Sequence, residues 1–263
     1  MSRTITTVAP TVLSLAGIDI PEAFDLPDGE ITDFCKNKIS GNIDRAVIYN
    51  PDAVGLWLYE KYKKMFAPAE NVSDLSLPRT SVMPSVTPVC FASMYSGVMP
   101  DIHGIKKYEK PVLTVETLFD CYIKAGKKCA IVSTMGDSIS KIFLERKMDY
   151  YIYPTLRQVN AKALKLVKEN KYDLLVIYNG NYDSTMHGKG PEAKASLRAL
   201  KKNVDFYEKL VESIKKYMAE NNVFYGFCPD HGCHLIDGKK GSHGLDMPED
   251  MNVIHFYGID AKK

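Results

Sequence analysis

Blocks of apolar residues with two different spacings alternate along the chain. Short runs rich in Val, Ile, Tyr and Phe predict strands at 45–50, 128–134, 149–154, 172–179, 222–228 and 252–258. Longer stretches with helical spacing predict helices at 53–65, 88–96, 115–125, 138–146, 158–170 and 192–220. Strands that alternate with helices predict an α/β fold around a largely parallel sheet.

The composition is that of an ordinary soluble protein. The 263 residues are enough for one large α/β domain, and no repeat or linker divides them, so a single domain over 1–263 is expected. Hydrophobic residues make up 45% of the chain and the net charge is +2, which gives no sign of a surface that binds nucleic acid or membranes through bulk charge. A small molecule is therefore the expected partner, and the oligomeric state stays open.

The cysteines and the start of the chain predict a cytoplasmic protein. The six cysteines form no CxxC pair, which is typical of reduced thiols and predicts no disulfides. The first 25 residues contain one Arg and an apolar run broken by Pro10 and Gly17. This run is a poor secretory signal and is too short to span a bilayer.

Polar residues collect where the predicted strands end, which is where open α/β sheets bind their ligands. Asp52 follows the first strand, and Asp183 and His187 follow the strand at 172–179 with a spacing that lets both face one ligand on a helix. Asp230 and His231 follow the strand at 222–228. Together with His243, in a glycine-flanked loop before the last strand, they form a ligand set for two divalent metals, most naturally zinc, with manganese as the alternative.

Each of these residues also has a simpler interpretation. Asp52 would cap a helix, the DHG tripeptide at 230–232 would form a turn, and His243 would be solvated. Their joint position at strand ends favours the metal site. A rival thiolate site is disfavoured because Cys228 lies in a predicted strand and the four ligands are crowded; it would use Cys228, His231, Cys233 and His234.

A threonine at the start of a predicted helix is the candidate nucleophile. Thr87 and Pro88 are expected at the N-cap and first helical position of a helix that ends at Gly97. The hydroxyl either caps this helix or, beside bound metals, acts as a nucleophile. Ser85 and Ser93 are poorer candidates, because they lie before the cap and in the second helical turn.

Five motifs between residues 44 and 258 resemble the alkaline phosphatase superfamily, and most closely its type I phosphodiesterase and nucleotide pyrophosphatase branch. They are AVIYNPDAVG, MPSVTPVCFASMYSGVMPDIHGI, YNGNYDSTMHG, CPDHG and GSHGLDMPEDMNVIHFYG. The resemblance implies a three-layer α/β sandwich. It also implies one metal on Asp183, His187 and His243 and a second on Asp52, Asp230, His231 and the oxygen of Thr87, which would form a phosphothreonine intermediate.

Three features depart from the pattern of this superfamily, and the first is a short chain without the large insertion that often shapes the substrate pocket. Tyr108 stands where many relatives have an Asn that binds a phosphate oxygen, so we assign it a catalytic hydrogen bond while diester preference stays open. The segment 6–24 resembles one that follows the last metal ligand in sulfatase-like and mutase relatives. We therefore expect residues 1–40 to occupy the place of the usual C-terminal helix; an unrelated amphipathic helix is the alternative.

These observations predict a metal-dependent phosphoester hydrolase of the phosphodiesterase or nucleotide pyrophosphatase type. Its expected substrate is a small phosphate ester or nucleotide. The alternatives are a phosphonate or phosphomonoester hydrolase of the same superfamily, or a catalytically silent relative that binds a nucleotide or metal. A sulfatase is not favoured, because the residues around Thr87 lack a CxPxR-like motif.

Overall fold

A central sheet crosses the molecule in the computed structural model, which describes residues 3–263 and leaves the first two residues of the predicted domain outside. Its strands are β1 (Arg45–Pro51), β2 (Leu75–Thr80), β3 (Cys129–Thr134), β4 (Asp149–Tyr153), β5 (Leu174–Asn179), β6 (Val223–Phe227) and β9 (Asn252–Asp260). The strand order is β2-β9-β6-β1-β5-β3-β4. In this sheet β9 runs antiparallel to its two neighbours, β2 and β6, and the remaining pairs are parallel, so the sheet is mostly parallel. A small hairpin pairs β7 (His234–Ile236) with β8 (Lys240–Ser242).

Helices cover both faces of this sheet. A 3-10 turn at Ile5–Thr7 leads into α1 (Val8–Ala16), and the helices that follow are α2 (Gly29–Lys38), α3 (Leu56–Lys61), α4 (Lys63–Val72), α5 (Thr87–Ser96), α6 (Pro100–His103), α7 (Leu118–Lys124), α8 (Ile139–Ile142), α9 (Leu156–Glu169), α10 (Asn181–Lys189), α11 (Lys194–Tyr217) and α12 (Pro248–Met251). No helix within residues 3–263 is long and apolar enough to cross a membrane.

The core has two halves, one on each face of the sheet. Alternate side chains of β1 enter opposite halves: Ala46 and Ile48 pack with α1 and α5, while Val47 and Tyr49 pack with α11. Burial on both faces is the reason that this strand reads as a continuous apolar run. The three-layer α/β sandwich expected from the resemblance is confirmed.

The sequence located six strands to within two residues but missed β2 and the hairpin. Strand β2 contains Pro78, which has no backbone N–H and is tolerated only at a sheet edge. The helix predicted at 53–65 is in fact two helices, α3 and α4, because Tyr62 leaves the helical conformation with φ −114° and ψ 36°.

The N-terminal segment packs on the same face as α5. Helix α1 contacts α2, α5 and α7, and the backbone N–H of Thr80 donates to the carbonyl of Arg3 at 2.9 Å. Arg79, only 2% exposed, pairs with Asp28 at 2.9 Å and ties β2 to the start of α2. The proposed equivalence to a C-terminal helix of relatives stays a prediction.

Candidate metal centre

The carboxyl ends of three neighbouring parallel strands bring the candidate ligands together. Asp52 follows β1, and its N–H donates to the carbonyl of Asn179 at the end of β5 at 3.1 Å. Two groups of residues result, each with ligand atoms within 4.8 Å of one another: Asp183, His187 and His243, and Asp52, Asp230 and His231. These are the two ligand sets that the sequence resemblance implies.

The first group joins α10 to the loop after the hairpin. Asp183 and His187 lie one turn apart on α10, and the His187 Nε2 atom is 3.2 Å from Asp183 Oδ1. The Nε2 atom of His243 is 3.5 Å from the same oxygen and 3.1 Å from Nε2 of His187. A side chain at Gly241 would overlap the backbone and sulfur of Met186, so the glycine lets the hairpin lie directly on α10.

The second group lies deeper in the protein. Asp52, Asp230 and His231 are each 1% exposed or less. The His231 Nε2 atom is 3.4 Å from Asp52 Oδ1 and 3.3 Å from Asp230 Oδ2. Buried carboxylates are costly unless they are paired or bind a metal.

Hydrogen bonds fix the tautomer of all three imidazoles. Each Nδ1 lies against a backbone carbonyl: His187 at 3.1 Å from Gly241, His231 at 2.9 Å from Gly232 and His243 at 2.9 Å from Ser85. A carbonyl oxygen only accepts, so each Nδ1 carries a proton and each Nε2 points to the cluster, where its lone pair is available in the neutral imidazole. Metal-binding histidines characteristically make this kind of outer hydrogen bond.

The carboxylates contain oxygens that the protein leaves without partners. Within residues 3–263, Asp52 Oδ1, Asp183 Oδ1 and Asp230 Oδ2 are buried and have no hydrogen-bond donor. Buried polar atoms are nearly always satisfied in proteins, so each exception needs a cause. These oxygens are the ones closest to the imidazole lone pairs, and the whole donor set of oxygen and nitrogen atoms fits divalent cations such as zinc.

The charges of the cluster perturb its pKa values in opposite directions. Burial, together with the charge of Asp183, raises the pKa of Asp52 to about 7, and burial and Asp52 raise the pKa of Asp230. Burial also acts to raise the pKa of Asp183, but the neighbouring imidazoles of His187 and His243, 3.2 and 3.5 Å from its Oδ1 atom, outweigh it and lower the pKa. Such perturbed groups in a cleft are typical of functional sites.

The Thr87 hydroxyl reaches the second group instead of capping its helix. The N-cap of α5 is Val86, one residue earlier than predicted, and no side chain caps the helix. This corrects the predicted position, since Pro88 is the second helical residue. Thr87 Oγ1 lies 3.4 Å from Asp52 Oδ2 and 3.3 Å from His231 Nε2.

Sequence reasoning missed Tyr178, the next-to-last residue of β5. Its buried hydroxyl donates a hydrogen bond to Asp52 Oδ2, and its ring meets the edge of Phe91. A Cβ atom at Gly180 would come within 2.7 Å of this hydroxyl, so the glycine leaves room for it. The only signal in the sequence is its place two residues before that glycine.

A cavity of about 480 Å³ opens over Asp52, Thr87 and Asp183. Tyr108, which is 63% exposed, lines the same cavity. Tyr108 thus borders the same cavity as the candidate nucleophile, on a loop after α6.

The alternative site residues do not converge on a site of their own. Cys233 Sγ contacts the hydroxyl of Tyr182 at 3.5 Å, and His234 Nδ1 donates to Asp250 at 2.8 Å, so neither faces His231 as a thiolate site would require. All six cysteines are buried and free. The Ser93 hydroxyl is held by His103 at 2.9 Å, away from the cluster.

The sequence matches no protein-family model and no curated protein. Its fold, however, is similar to that of mouse ectonucleotide pyrophosphatase/phosphodiesterase 5, with a TM-score of 0.65 at 12% identity over 81% of this chain and 88% of the other. An inactive threonine-to-alanine variant of that mouse protein, in complex with AMP, gives a TM-score of 0.66 at 12% identity over 82% and 88% of the two chains.

A second similar structure is phosphonoacetate hydrolase from Sinorhizobium meliloti 1021 in complex with phosphonoformate. Its TM-score is 0.55 at 14% identity, over 72% of this chain and 56% of that one. Both neighbours are members of the alkaline phosphatase superfamily. The protein thus has the alkaline-phosphatase-like α/β fold that its motifs predict.

Proposed function

We propose that this protein is a metal-dependent hydrolase of phosphate esters, with phosphodiesters or nucleotide pyrophosphates preferred. The observation that carries the proposal is the position of the Thr87 hydroxyl, within 3.4 Å of the Asp52 carboxylate and of His231 Nε2. The buried Asp52 carboxylate has an oxygen without a hydrogen-bond donor, which a bound cation would satisfy. Asp183, His187 and His243 would hold one ion, and Asp52, Asp230 and His231 the other. The nitrogen-rich first set favours zinc.

Thr87 supplies the nucleophile in this mechanism. Two bound divalent ions would lower the pKa of its hydroxyl and stabilise charge on the attacking and leaving oxygens. Thr87 Oγ1 attacks phosphorus and loses its proton to solvent, while the bond from phosphorus to the leaving alcohol breaks and that oxygen gains a proton. Water then attacks the phosphothreonine, the bond from phosphorus to Oγ1 breaks, and Thr87 regains its hydroxyl proton.

The two structural neighbours support different substrate preferences. The mouse protein is named as a nucleotide pyrophosphatase/phosphodiesterase, and its inactive variant has a threonine replaced by alanine, which agrees with a threonine nucleophile here. The phosphonoacetate hydrolase supports the second candidate, a phosphonate hydrolase. Tyr108 also keeps this candidate open, because it stands where many diesterases have an asparagine.

The test compares wild type with Thr87→Ala, each stripped of metal and reloaded with zinc or manganese. We expect metal-dependent hydrolysis of bis-p-nitrophenyl phosphate to exceed that of p-nitrophenyl phosphate, and Thr87→Ala to lower kcat by about 1,000-fold or more, because loss of a covalent nucleophile removes most of the catalysis. Ser184→Ala is the control, since its hydroxyl lines the same cavity but donates only to the carbonyl of Gly180.

Two results would reject the proposal in different ways. Unchanged metal-dependent turnover in Thr87→Ala would exclude Thr87 as the nucleophile. If the protein binds two metals but hydrolyses neither ester, phosphate ester hydrolysis is rejected, and phosphonate hydrolysis or a binding role remains.

A further inference from the structure

The lining of the cavity over Thr87 includes one positively charged side chain, which is not a candidate metal ligand. Among the described residues that line it, Lys110 is the only basic one. It lies on the loop between α6 and α7, two residues after Tyr108, while Met135 and Gly136 line the cavity from the turn after β3. Lys110 therefore borders the cavity in which the organic part of a substrate would lie.

Lys110 differs from the other lysines of its loop in having no acidic partner. Lys106 pairs with Asp101 at 2.7 Å and Lys107 with Glu109 at 3.4 Å. No carboxylate in the described part of the chain lies within 4.0 Å of the Lys110 ammonium. Its charge is thus available to a ligand.

Two contacts hold this ammonium group in place. The Nζ atom donates to the carbonyl of Gly136 at 2.9 Å and lies 5.2 Å from the centre of the Tyr108 ring. A carbonyl and an aromatic ring attract a cation without neutralising it. Because an ammonium has three donors, the remaining N–H groups are free for an anion.

Asp137, the acidic lining residue next in sequence to Gly136, does not pair with Lys110. The carboxylate of Asp137 accepts hydrogen bonds from the hydroxyls of Ser133 and Thr134 and from the backbone N–H of Ser140 at 2.8 Å. These bonds turn Asp137 toward its own backbone.

We propose that Lys110 binds a second anionic group of the substrate, a carboxylate or a second phosphoryl group, on the part of the molecule that Thr87 does not attack. The preferred substrate would then be a small phosphoryl compound with two separated anionic groups. The flank formed by Tyr108 and Met135 would contact the short linker between them. This inference rests on the proposed function for the position of the first phosphoryl group.

The experiment measures binding to the zinc-loaded protein by calorimetry, so that it does not depend on turnover. Alkylphosphonates are compared with phosphonates of equal length that end in a carboxylate or a second phosphonate, with one, two and three methylenes. For at least one length, we expect the doubly anionic ligand to bind wild type about fivefold more tightly than the alkyl ligand, as for a partly exposed ion pair. Lys110→Met should abolish this ratio, and Lys110→Arg should retain most of it.

Lys107→Met is the matched control, because it removes the same charge from the same loop but leaves Lys110 in place. The inference is overturned if Lys110→Met still binds the doubly anionic ligand about fivefold more tightly than the alkyl ligand, or if Lys107→Met loses this preference equally. It is also overturned if wild type shows no such preference at any ligand length. Hydrolysis of bis-p-nitrophenyl phosphate is measured in parallel. A ratio that depends on Lys110 without any hydrolysis would reject the proposed function and retain the anion site.

Discussion

The hydroxyl of Tyr178 sets the orientation of the Asp52 carboxylate. It binds Asp52 Oδ2, so that Oδ1 is left toward His231 Nε2 at 3.4 Å. Tyr178→Phe removes this donor and lets the carboxylate rotate. We expect metal affinity to fall about tenfold, the lower end of the effect of outer-sphere partners on metal sites. Zinc titration against a chromophoric chelator measures the change.

Tyr95→Phe provides the control for this substitution. The Tyr95 hydroxyl is also buried but donates to Asn50 at 2.6 Å, which is not a candidate ligand. Equal losses of zinc affinity in the two variants would show that Tyr178 acts only through general packing.

The unpaired carboxylate oxygens predict opposite effects of one substitution with and without metal. Asp230 is fully buried beside Asp52, and burial raises its pKa because the charged form is unfavourable there. Asp230→Asn removes this cost, so the metal-free protein should become more stable by about 1–3 kcal/mol at neutral pH. The same substitution removes a ligand and should lower the stabilisation that zinc provides.

Thermal unfolding with and without chelator checks both effects. In wild type we expect a large rise in Tm on adding zinc, and in Asp230→Asn a higher metal-free Tm with a smaller rise. If the metal-free Asp230→Asn protein is less stable than wild type, the prediction is wrong, because the charged carboxylate then stabilises the metal-free fold.

The sequence predicts elements best where burial alone decides them. Strands β1, β5 and β6 were found because both of their faces are buried and they read as apolar runs. Strand β2 was missed because Pro78 and the exposed Ser76 hide it, and its pairing with β9 depends on residues far along the chain. Tyr178 was missed for a similar reason, since its role depends on Asp52, 126 residues away.

The junction between β2 and α2 depends on one buried ion pair. Arg79 has no exposed side-chain surface and lies 2.9 Å from Asp28, which also caps α2 by accepting from the N–H groups of Glu30 and Ile31. Asp28→Asn keeps a capping oxygen but removes the charge. An unpaired buried guanidinium costs about 3–5 kcal/mol, and urea unfolding should show a loss of that order.

A second substitution separates the charge from the cap. Arg79→Met in the Asp28→Asn background should recover much of the loss, because it replaces the unpaired cation by an apolar side chain. Failure to recover would assign the loss to the cap and to the packing of α2.

At the scale of the whole molecule, the candidate site follows from topology. Because β1, β5 and β6 are parallel neighbours, Asp52, Asp183 and Asp230 meet at one edge of the sheet. The sequence could not show the orientation of each side chain. Thr87 does not cap α5 because the helix begins one residue earlier than the sequence predicts. Each imidazole presents Nε2 because its Nδ1 binds a backbone carbonyl that only the complete fold brings near.

The N-terminal segment offers a test of the whole architecture. If residues 1–40 belong to the core of the domain, removing residues 1–25 exposes the apolar face of α5 and should lower Tm strongly or prevent folding. An unchanged Tm would refute this view. Helix α1 is almost completely buried, with Val12 and Leu13 at 0% exposure, and each buried aliphatic side chain contributes about 1.5–3 kcal/mol.

A circular permutant asks whether the position of this segment in the chain matters. The linker must join the end of β9 to the start of the N-terminal segment. Arg3 accepts a hydrogen bond from Thr80, which pairs with Asn252 at the start of β9, and the chain leaves β9 at its other end, after Asp260. Eight residues of strand separate these points by about 27 Å. A flexible Gly/Ser linker of about 25 residues has that mean span.

The permutant begins at Gly41, which is exposed, and carries residues 1–40 after Lys263 and the linker. We expect it to fold and bind two zinc ions with wild-type stoichiometry, because every contact of α1 with α5 and α7 can form again. The deletion variant lacks those contacts and should fail. A permutant that also fails, with the linker varied from about 20 to 35 residues to remove strain, would show that folding requires the N-terminal segment to be joined directly to β1, and would count against the equivalence with a C-terminal helix.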